Sequence, residues 1–284
     1  MKKIVGLIVG IMGAVLLCGC SIKESFTYDN EEQYHVGSAQ IKENVENLDI
    51  NWAAGSVTVK TADVSEVRIE EDAPEDLEEK QQMHWWLDGT TLRIKIYGAG
   101  KLLSIGIEKH LTVTLPENLQ LKDVEIDVAS AEVLVENLTA EEVDVDSASG
   151  SVQVIGNAKE VNIDTASGDI YLDGMAEELE LNTASGKIEV NENGKLKRAN
   201  IGTASGDVKV AAKTFDDMDI DTASGKVTLQ LPADSNFTLD MDTASGDFRS
   251  DLALKMDGKK YVCGNGKGMI KIDTASGDIF LKEN

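Results

Sequence analysis

Apolar and polar residues alternate along most of this chain, beginning at Leu48. The segment Leu48–Val59 places an apolar side chain at almost every second position, and the alternation returns at residues 67–70, 92–97, 111–115 and 124–128. A period of two is typical of a β-strand with one buried and one solvent-facing side. The pattern therefore predicts an all-β protein.

The second half of the chain repeats one tetrapeptide, Thr-Ala-Ser-Gly. Its six copies begin at Thr165, Thr183, Thr203, Thr222, Thr243 and Thr274, and their serines are separated by 18, 20, 19, 21 and 31 residues. Two weaker copies precede them at residues 128–131 and 147–150, and Leu48–Val59 aligns with Val161–Leu172. A residue that recurs in every unit serves the architecture, because a catalytic nucleophile is needed only once per active site.

Each unit reads as two short alternating strands joined through the tetrapeptide and returned by a variable loop. One such coil buries too few apolar side chains to offset the backbone entropy lost on folding. Stacked coils pair each strand with its copies above and below, in parallel register at roughly 4.8 Å. The sequence therefore predicts a parallel β-solenoid of about 18–21 residues per coil. We expect it to be right-handed, because parallel crossovers almost always are.

The corner residues have a predicted role in this solenoid. Glycine permits backbone conformations that other residues resist, and the small Ala, Ser and Thr side chains can stack into ladders. The residue after the glycine is, in successive copies, Asp169, Lys187, Asp207, Lys226, Asp247 and Asp278. We expect unlike charges to stack on neighbouring coils and to help fix the register.

The N-terminus has the layout of a secretory signal. Lys2 and Lys3 precede an apolar run, Ile4–Leu17, which leads into Leu17-Cys18-Gly19-Cys20. The tetrapeptide resembles a bacterial lipobox, which implies that Cys20 becomes the first mature residue and carries a diacylglycerol thioether. An uncleaved membrane helix is the alternative, but the run is short for a span of about 20 residues. We expect a membrane-anchored lipoprotein on the extracytoplasmic face of a bacterial cell.

These observations divide the chain into four parts. Residues 1–19 are predicted to be the signal peptide, 20–46 a tether, 47–124 an irregular β region that starts the solenoid, and 125–284 the regular array. The acidic stretch 70–80 reads as a short helix or an excursion between strands. Trp85 and Trp86 are either exposed binding aromatics or a plug at the end of the core, and Trp52 fits a capping role.

The chain is strongly acidic. Its 27 Lys and Arg against 51 Asp and Glu give a formal charge of -24, which becomes -26 when Lys2 and Lys3 leave with the signal. Such a surface repels nucleic acid and anionic lipid headgroups. It should attract cations, basic peptides or basic proteins, although solubility alone would also explain the acidity.

Residues that could support catalysis are few. His35, His84 and His110 lie outside the regular array, and no Cys or His cluster has metal-ligand spacing. With Cys18 lost and Cys20 acylated, only Cys263 remains as an idle thiol. The run Gly264–Gly268 has the wrong spacing for a phosphate loop and reads as a turn. We predict no cofactor and no enzymatic activity.

The best candidate site comes from two coils that follow each other in sequence. Asp219 and Asp221 alternate with apolar residues, and so do Asp240 and Asp242 in the next copy. Direct stacking of these copies would bring four carboxylates into one patch. Such a patch would raise the carboxylate pKa values or attract a cation such as Ca²⁺. The alternative is a solvated acidic face.

A family resemblance adds to this interpretation. The lipobox, the β region ending in Leu111-Thr112-Val113-Thr114-Leu115-Pro116 and the Asp-Thr-Ala-Ser-Gly-Asp-Ile repeats together resemble a bacterial adhesin-like family, domain of unknown function 4097 (DUF4097). The likeness spans about residues 45–284. It implies a surface-exposed β-solenoid, in a family linked to the cell envelope and its stress responses. It supplies no catalytic residues.

Three functions are open on this evidence. The first is a lipid-anchored, non-enzymatic adhesion, interaction or scaffold module of the cell envelope, with an envelope protein, a glycan or a cationic peptide as partner. The second is an acidic surface that captures cationic peptides or Ca²⁺. The third is a polysaccharide-active enzyme, because elongated β-helices also host such enzymes.

Overall fold

In the computed structural model, residues 29–74, 77–96 and 108–284 are described. These residues form 21 β-strands and two short 3-10 helices, Glu31–Gln33 and Glu79–Gln81, and they contain no α-helix. The lipidation site predicted at Cys20 lies outside the described residues. The folded chain divides into an N-terminal unit that ends at Ala158 and a C-terminal unit, Lys159–Asn284.

The N-terminal unit contains nine strands. They are β1 (His35–Val36), β2 (Ala39–Ile41), β3 (Asn47–Ala62), β4 (Val67–Asp72), β5 (Met83–Asp88), β6 (Thr91–Ile96), β7 (Lys109–Pro116), β8 (Leu121–Ser149) and β9 (Val152–Asn157).

The C-terminal unit contains twelve strands in its described residues. They are β10 (Glu160–Ser167), β11 (Ile170–Met175), β12 (Glu178–Ser185), β13 (Ile188–Ser205), β14 (Val208–Ser224), β15 (Val227–Leu231), β16 (Phe237–Thr243), β17 (Phe248–Ser250), β18 (Leu254–Asp257), β19 (Lys260–Cys263), β20 (Gly268–Ser276) and β21 (Ile279–Glu283).

Coils of the C-terminal unit stack in parallel to give two sheets. The first sheet holds the segments that end in the tetrapeptide and runs β10, β12, β13, β14, β20, β16. The second sheet holds the segments that follow the tetrapeptide and runs β11, β13, β14, β15, β21, β17. The long strands β13 and β14 contribute to both sheets. The predicted parallel β-solenoid is therefore confirmed, while its right-handed sense stays a prediction.

The spatial order of the last two coils differs from their order in sequence. β20 lies between β14 and β16, and β21 lies between β15 and β17. The coil of β16 and β17, which comes earlier in the chain, is the last coil of the parallel stack, and β19 pairs antiparallel with β16 beyond it. The expectation that successive copies are always neighbours is wrong here. The 31-residue interval before the last tetrapeptide lets the chain form β16 and β17 first and then return to place β20 and β21 between them and the preceding coil. The coil at Ile279–Leu281 is consequently paired on both sides.

Corner glycines are required because successive corners pack main chain against main chain. A Cβ built on Gly186 would lie 2.0 Å from the carbonyl oxygen of Gly168, and one on Gly206 would lie 1.8 Å from that of Gly186. Neither glycine has a positive φ angle. The general reason for glycine is therefore this close approach, although Gly225 and Gly246 also have positive φ angles.

The threonine of each tetrapeptide faces the interior beside this corner. Thr183 and Thr274 are completely buried, and the Thr183 hydroxyl donates to the Gly168 carbonyl of the preceding coil at 3.3 Å. The serine two positions later is exposed in all six copies. The buried hydroxyls of Thr165, Thr203, Thr222 and Thr274 make no such hydrogen bond. Threonine therefore fills the corner from inside mainly by packing, while serine forms an outer ladder.

Charged residues after the glycine support the register mainly through the backbone. The Asp169 carboxylate accepts the Lys187 N–H at 2.8 Å, and the Asp207 carboxylate accepts the Lys226 N–H at 2.9 Å. The Lys226 ammonium lies 3.9 Å from Asp207, a long and exposed ion pair. These two pairs of unlike charges stack as predicted, and each aspartate also accepts a hydrogen bond from the next coil. The prediction fails at the last two coils, where the like charges Asp278 and Asp247 are neighbours and Asp278 accepts the Asp247 N–H at 2.9 Å.

The N-terminal unit also departs from sequence order. The long strand β3 is flanked by β6 and β7 on one side and by β8 on the other. The antiparallel strands β5 and β4 then cover β6 and β7, and the short strands β1 and β2 cover β5 and β4 in turn. The solenoid of this unit therefore ends in an antiparallel cap.

Two predicted segment boundaries change as a result. Residues 29–41 were expected in the tether, yet they contain a 3-10 helix and strands β1 and β2 of the cap. The predicted start of the regular array at residue 125 falls inside β8. In the acidic stretch 70–80, residues 70–72 end β4 and residues 79–80 begin the second 3-10 helix, so its described residues include part of a short helix as well as a connection between strands.

A buried polar network holds this cap together. Lys109, only 1% exposed, forms an ion pair with Glu71 and donates to the Gln81 carbonyl at 2.6 Å. The Glu71 carboxylate also accepts the Met83 N–H at 2.9 Å. Trp52 donates to the Lys109 carbonyl at 3.0 Å, and the Lys109 ammonium lies 5.4 Å from the centre of its ring. Trp52 therefore contacts this network from the interior strand β3 rather than from a terminal coil, so the predicted capping position is wrong.

The paired tryptophans of β5 separate into two environments. Trp85 is opposite the buried Ile94, on the core side of the strand, and its ring lies 4.8 Å from that of His35. Trp86 is opposite Arg93 on the outer side, with the Tyr34 ring edge-on at 5.6 Å. Only Trp85 fits the predicted plug.

The corner geometry predicts the effect of one methyl group. Gly186→Ala should lower the free energy of unfolding by about 3 kcal/mol or more, since two backbones must separate to admit the Cβ. Gly258→Ala is the matched control, because Gly258 has a φ of 63° but open space around its Cβ position. That control should cost only the strain of a left-handed backbone, about 1–2 kcal/mol. Urea unfolding of the chain from Ser21 onward measures both, and equal costs would contradict the corner model.

Candidate functional site

The four aspartates of the predicted site lie on the outer side of the first sheet but are not neighbours. Asp219 and Asp221 belong to β14, whereas Asp240 and Asp242 belong to β16. β20 separates the two strands, so that Asp219 is opposite Lys271 and Asp221 is opposite Asp273. The predicted four-carboxylate patch is therefore wrong in its geometry, because the last coil is inserted between its two halves.

Lys271 neutralises the middle of this arrangement. Its ammonium lies 3.0 Å from the Asp219 carboxylate and 2.9 Å from the Asp273 carboxylate. Both hydrogen bonds and the nearby aspartates raise the pKa of Lys271, although burial acts in the opposite direction. Sequence reasoning missed Lys271 and Asp273. The signal that could have revealed them is the 31-residue interval before the last copy.

Asp221 has the most perturbed carboxyl group of this cluster. Its pKa is raised to about 6, chiefly by burial, and Asp219 and Asp273 add to the effect while Lys271 opposes it. A row of three aspartates, Asp221, Asp273 and Asp242, crosses the strands here. Among the described residues, no group of three or more His, Cys, Asp or Glu side chains is placed to hold a metal ion.

The outer side of the first sheet is acidic well beyond these residues. Three outward positions on each of six strands give 18 positions, of which ten are acidic and two are basic, a net charge of -8. We call these 18 positions the acidic face. Its charged members are Glu160, Asp164, Glu178, Glu180, Arg198, Asp217, Asp219, Asp221, Asp240, Asp242, Lys271 and Asp273.

The outer side of the second sheet is different. Its 11 outward positions hold two acidic and three basic residues, a net charge of +1. One ion pair crosses the strands there, between Lys209 and Glu189 at 2.7 Å. Tyr171 donates to Asp173 at 3.1 Å and accepts from Asn191 at 3.2 Å. The acidity of the unit is therefore concentrated on one sheet.

The N-terminal unit has an acidic region of its own, which sequence reasoning missed. Burial and the surrounding carboxylates Glu125, Asp146, Asp49 and Asp144 raise the pKa of Asp127 to about 6. The Asp49 carboxylate, 7% exposed, pairs with Arg93 and with Lys95 at 3.7 Å. The signal for this region was the repeated alternation of acidic with apolar residues at 123–128 and 142–147.

The remaining candidate residues belong to a buried position, a turn and a strand surface. Cys263 is 3% exposed, and burial raises the pKa of its thiol. The run at 264–268 is a turn between β19 and β20, as predicted, with Gly264 and Gly266 at positive φ. His110 shares a hydrogen bond of 2.9 Å with Ser56 on an outer strand surface. Within the described ranges, no helix has the length and apolar character needed to cross a membrane.

The fold and these surfaces define a parallel β-solenoid with an acidic outer face and glycine-packed corners. The family model described as Toastrack DUF4097 matches residues 45–282, which is most of the chain. This protein therefore belongs to the Toastrack DUF4097 family, as its sequence resemblance predicted. No curated protein sequence matches the chain.

Solved structures with the same fold include two bacterial proteins. The crystal structure of a candidate adhesin (BF0245) from Bacteroides fragilis has a TM-score of 0.55 at 13% identity, over 88% of this chain and 98% of that one. A candidate lipid-binding protein from Parabacteroides distasonis has a TM-score of 0.50 at 14% identity, over 89% and 98% of the two chains. At these identities the likeness shows the fold alone.

The raised pKa of Asp221 predicts a pH-dependent stability. Its pKa in the folded state, about 6, exceeds the ordinary value of 3.8, so ionisation above pH 6 disfavours folding and the penalty disappears below pH 4. Asp221→Asn should therefore raise Tm at pH 7.5 and leave it nearly unchanged at pH 4. Asp234→Asn, at an exposed loop position, is the control. A variant that is destabilised at pH 7.5 would contradict the assignment.

Proposed function

We propose that this protein is a non-enzymatic interaction module of the bacterial cell envelope, anchored outside the membrane through Cys20. The acidic face is its contact surface, and the partner is a basic peptide or protein. The single observation that supports this proposal is the contrast between the two sheets, with net charges of -8 and +1. Acidity that served only solubility would not need to be confined to one sheet.

The arrangement of charges favours a partner with several cationic groups. Neighbouring strands of a sheet lie about 4.8 Å apart, so rows of outward carboxylates form a regular, concentrated negative potential. The face already holds two ammonium groups. Lys271 is bound between Asp219 and Asp273, and Lys260 of β19 lies 3.0 Å from Asp240. An added lysine or arginine could be held similarly by carboxylates that lack such a neighbour. Binding of this kind weakens as salt rises.

Relatives are consistent with a surface role. The similar structure from B. fragilis is described as a candidate adhesin, and the one from P. distasonis as a candidate lipid-binding protein. Capture of Ca²⁺ is less well supported than capture of a basic peptide, because β20 separates the carboxylates proposed to bind it. A scaffold role in the envelope or in its stress response is compatible with the same surface.

Binding of a fluorescent decalysine peptide to the chain from Ser21 onward tests the contact surface. The variant Asp219→Asn, Asp221→Asn, Asp240→Asn and Asp242→Asn should bind about tenfold more weakly at low salt, a loss of about 1.4 kcal/mol. The matched control neutralises Glu189, Asp234, Asp251 and Asp257, which changes the net charge equally but lies off the acidic face. Equal losses in the two variants would show that net charge alone determines binding.

The anchor is tested separately in bacteria. Palmitate labelling of the full chain should depend on Cys20, because its thiol would carry the thioether-linked lipid. Cys20→Ser should abolish the labelling and release the protein from the membrane fraction. Cys263→Ser should leave the labelling unchanged, since Cys263 is buried in the fold. Persistent labelling of Cys20→Ser would overturn the lipoprotein assignment and leave the peptide-binding result intact.

A further inference from the structure

The coil of β20 and β21 occupies a slot between two coils that precede it in the chain. On one side, the Gly225 N–H donates to the Ser276 carbonyl at 3.2 Å. On the other side, the Gly277 N–H donates to the Ser245 carbonyl at 3.0 Å. The pairing continues along both strands, with β14 and β15 as one wall and β16 and β17 as the other.

The two walls are close in sequence, but the inserted coil separates them in space. Only the five residues 232–236 connect the end of β15 to the start of β16. The walls are nevertheless two strand spacings apart, about 10 Å, because one coil lies between them. If that coil is absent, each wall presents unpaired backbone N–H and C=O groups along its edge.

The contacts of the inserted coil are those of a solenoid repeat. Its inward residues are fully buried or nearly so, and they are Ile270, Ile272, Thr274, Ile279 and Leu281. On the outer side, Lys271 pairs with Asp219 of the wall. The segment 251–267, which leads into the coil, is largely exposed and contains the antiparallel pair β18 and β19.

We propose that two copies of this chain exchange their β20–β21 coils and form a dimer, each coil filling the slot of the other copy. An exchanged coil makes the same backbone hydrogen bonds, the same apolar contacts and the same Lys271–Asp219 ion pair. Within one chain, β19 also pairs antiparallel with β16, and it leads directly into β20. In the exchange, β18 and β19 therefore move with the coil and keep this pairing on the other copy. Exchange then changes the path of residues 251–253 and adds the cost of association. If β16 and β17 of one copy fold before its own β20 and β21, the gap between the two walls can accept the β20–β21 coil of a second copy.

An intermolecular disulfide distinguishes exchange from insertion within one chain. Asp217 and Met269 are register partners on β14 and β20, and Met269 is 37% exposed. Neighbouring positions in a sheet suit the Cα separation of a disulfide. One chain carries Asp217→Cys and a second carries Met269→Cys, both starting at Ser21 and both with Cys263→Ala. The two are unfolded in urea, mixed, refolded at high concentration and oxidised.

Exchange predicts a disulfide-linked heterodimer in this mixture. The control replaces Asp217→Cys by Glu178→Cys, which lies in the same outward row but two strands further from β20 and should give no linked dimer. A single chain with both Asp217→Cys and Met269→Cys should form the bond internally. If that chain forms it while the mixture yields only unlinked monomers, the exchange proposal is overturned. If neither forms it, the insertion itself is refuted.

Discussion

Direct contact between the backbones of successive corners is the constraint on which the rest of this structure depends. The carbonyl oxygen of one corner glycine lies where the next glycine would carry its Cβ, at 1.8–2.1 Å for Gly186, Gly206, Gly225, Gly246 and Gly277. This contact lets parallel strands on both sides of the corner keep one register. Register in turn fixes which residues face the core and which form rows outside. The acidic face and the Lys209–Glu189 ion pair of the second sheet both follow from this repeat.

Much of the fold could be predicted from the sequence because every coil obeys the same local rules. Alternation located the strands, and the tetrapeptide located the corners. The order of the coils could not be predicted, because identical repeats fit equally well against any of their copies. Asp219 could therefore be placed on the outer face, but its neighbour, Lys271 rather than Asp240, could not be identified. The correct neighbour depends on the path of the long segment before β20.

At the candidate site, the identity of the neighbouring strand determines which charged side chains meet. Four adjacent carboxylates would repel one another strongly, but the inserted Lys271 binds two of the nearby aspartates. The pKa of Asp221 nevertheless stays raised, because this residue is partly buried beside Asp219 and Asp273. In the N-terminal unit, Asp127 is perturbed by the same combination of burial and neighbouring carboxylates. These pKa shifts depend on cross-strand distances, which cannot be derived from the alternation or the composition of the sequence.

The inserted position of β3 in one unit and of β20–β21 in the other has a mechanical consequence. A repeat stack that follows sequence order can unzip from its ends, since the terminal coil is held along one side only. Here β3 is paired on both sides, and so are β20 and β21. A pulling force applied through the residues just before β3 reaches this strand as shear along two interfaces, so β3 is released only when both interfaces break.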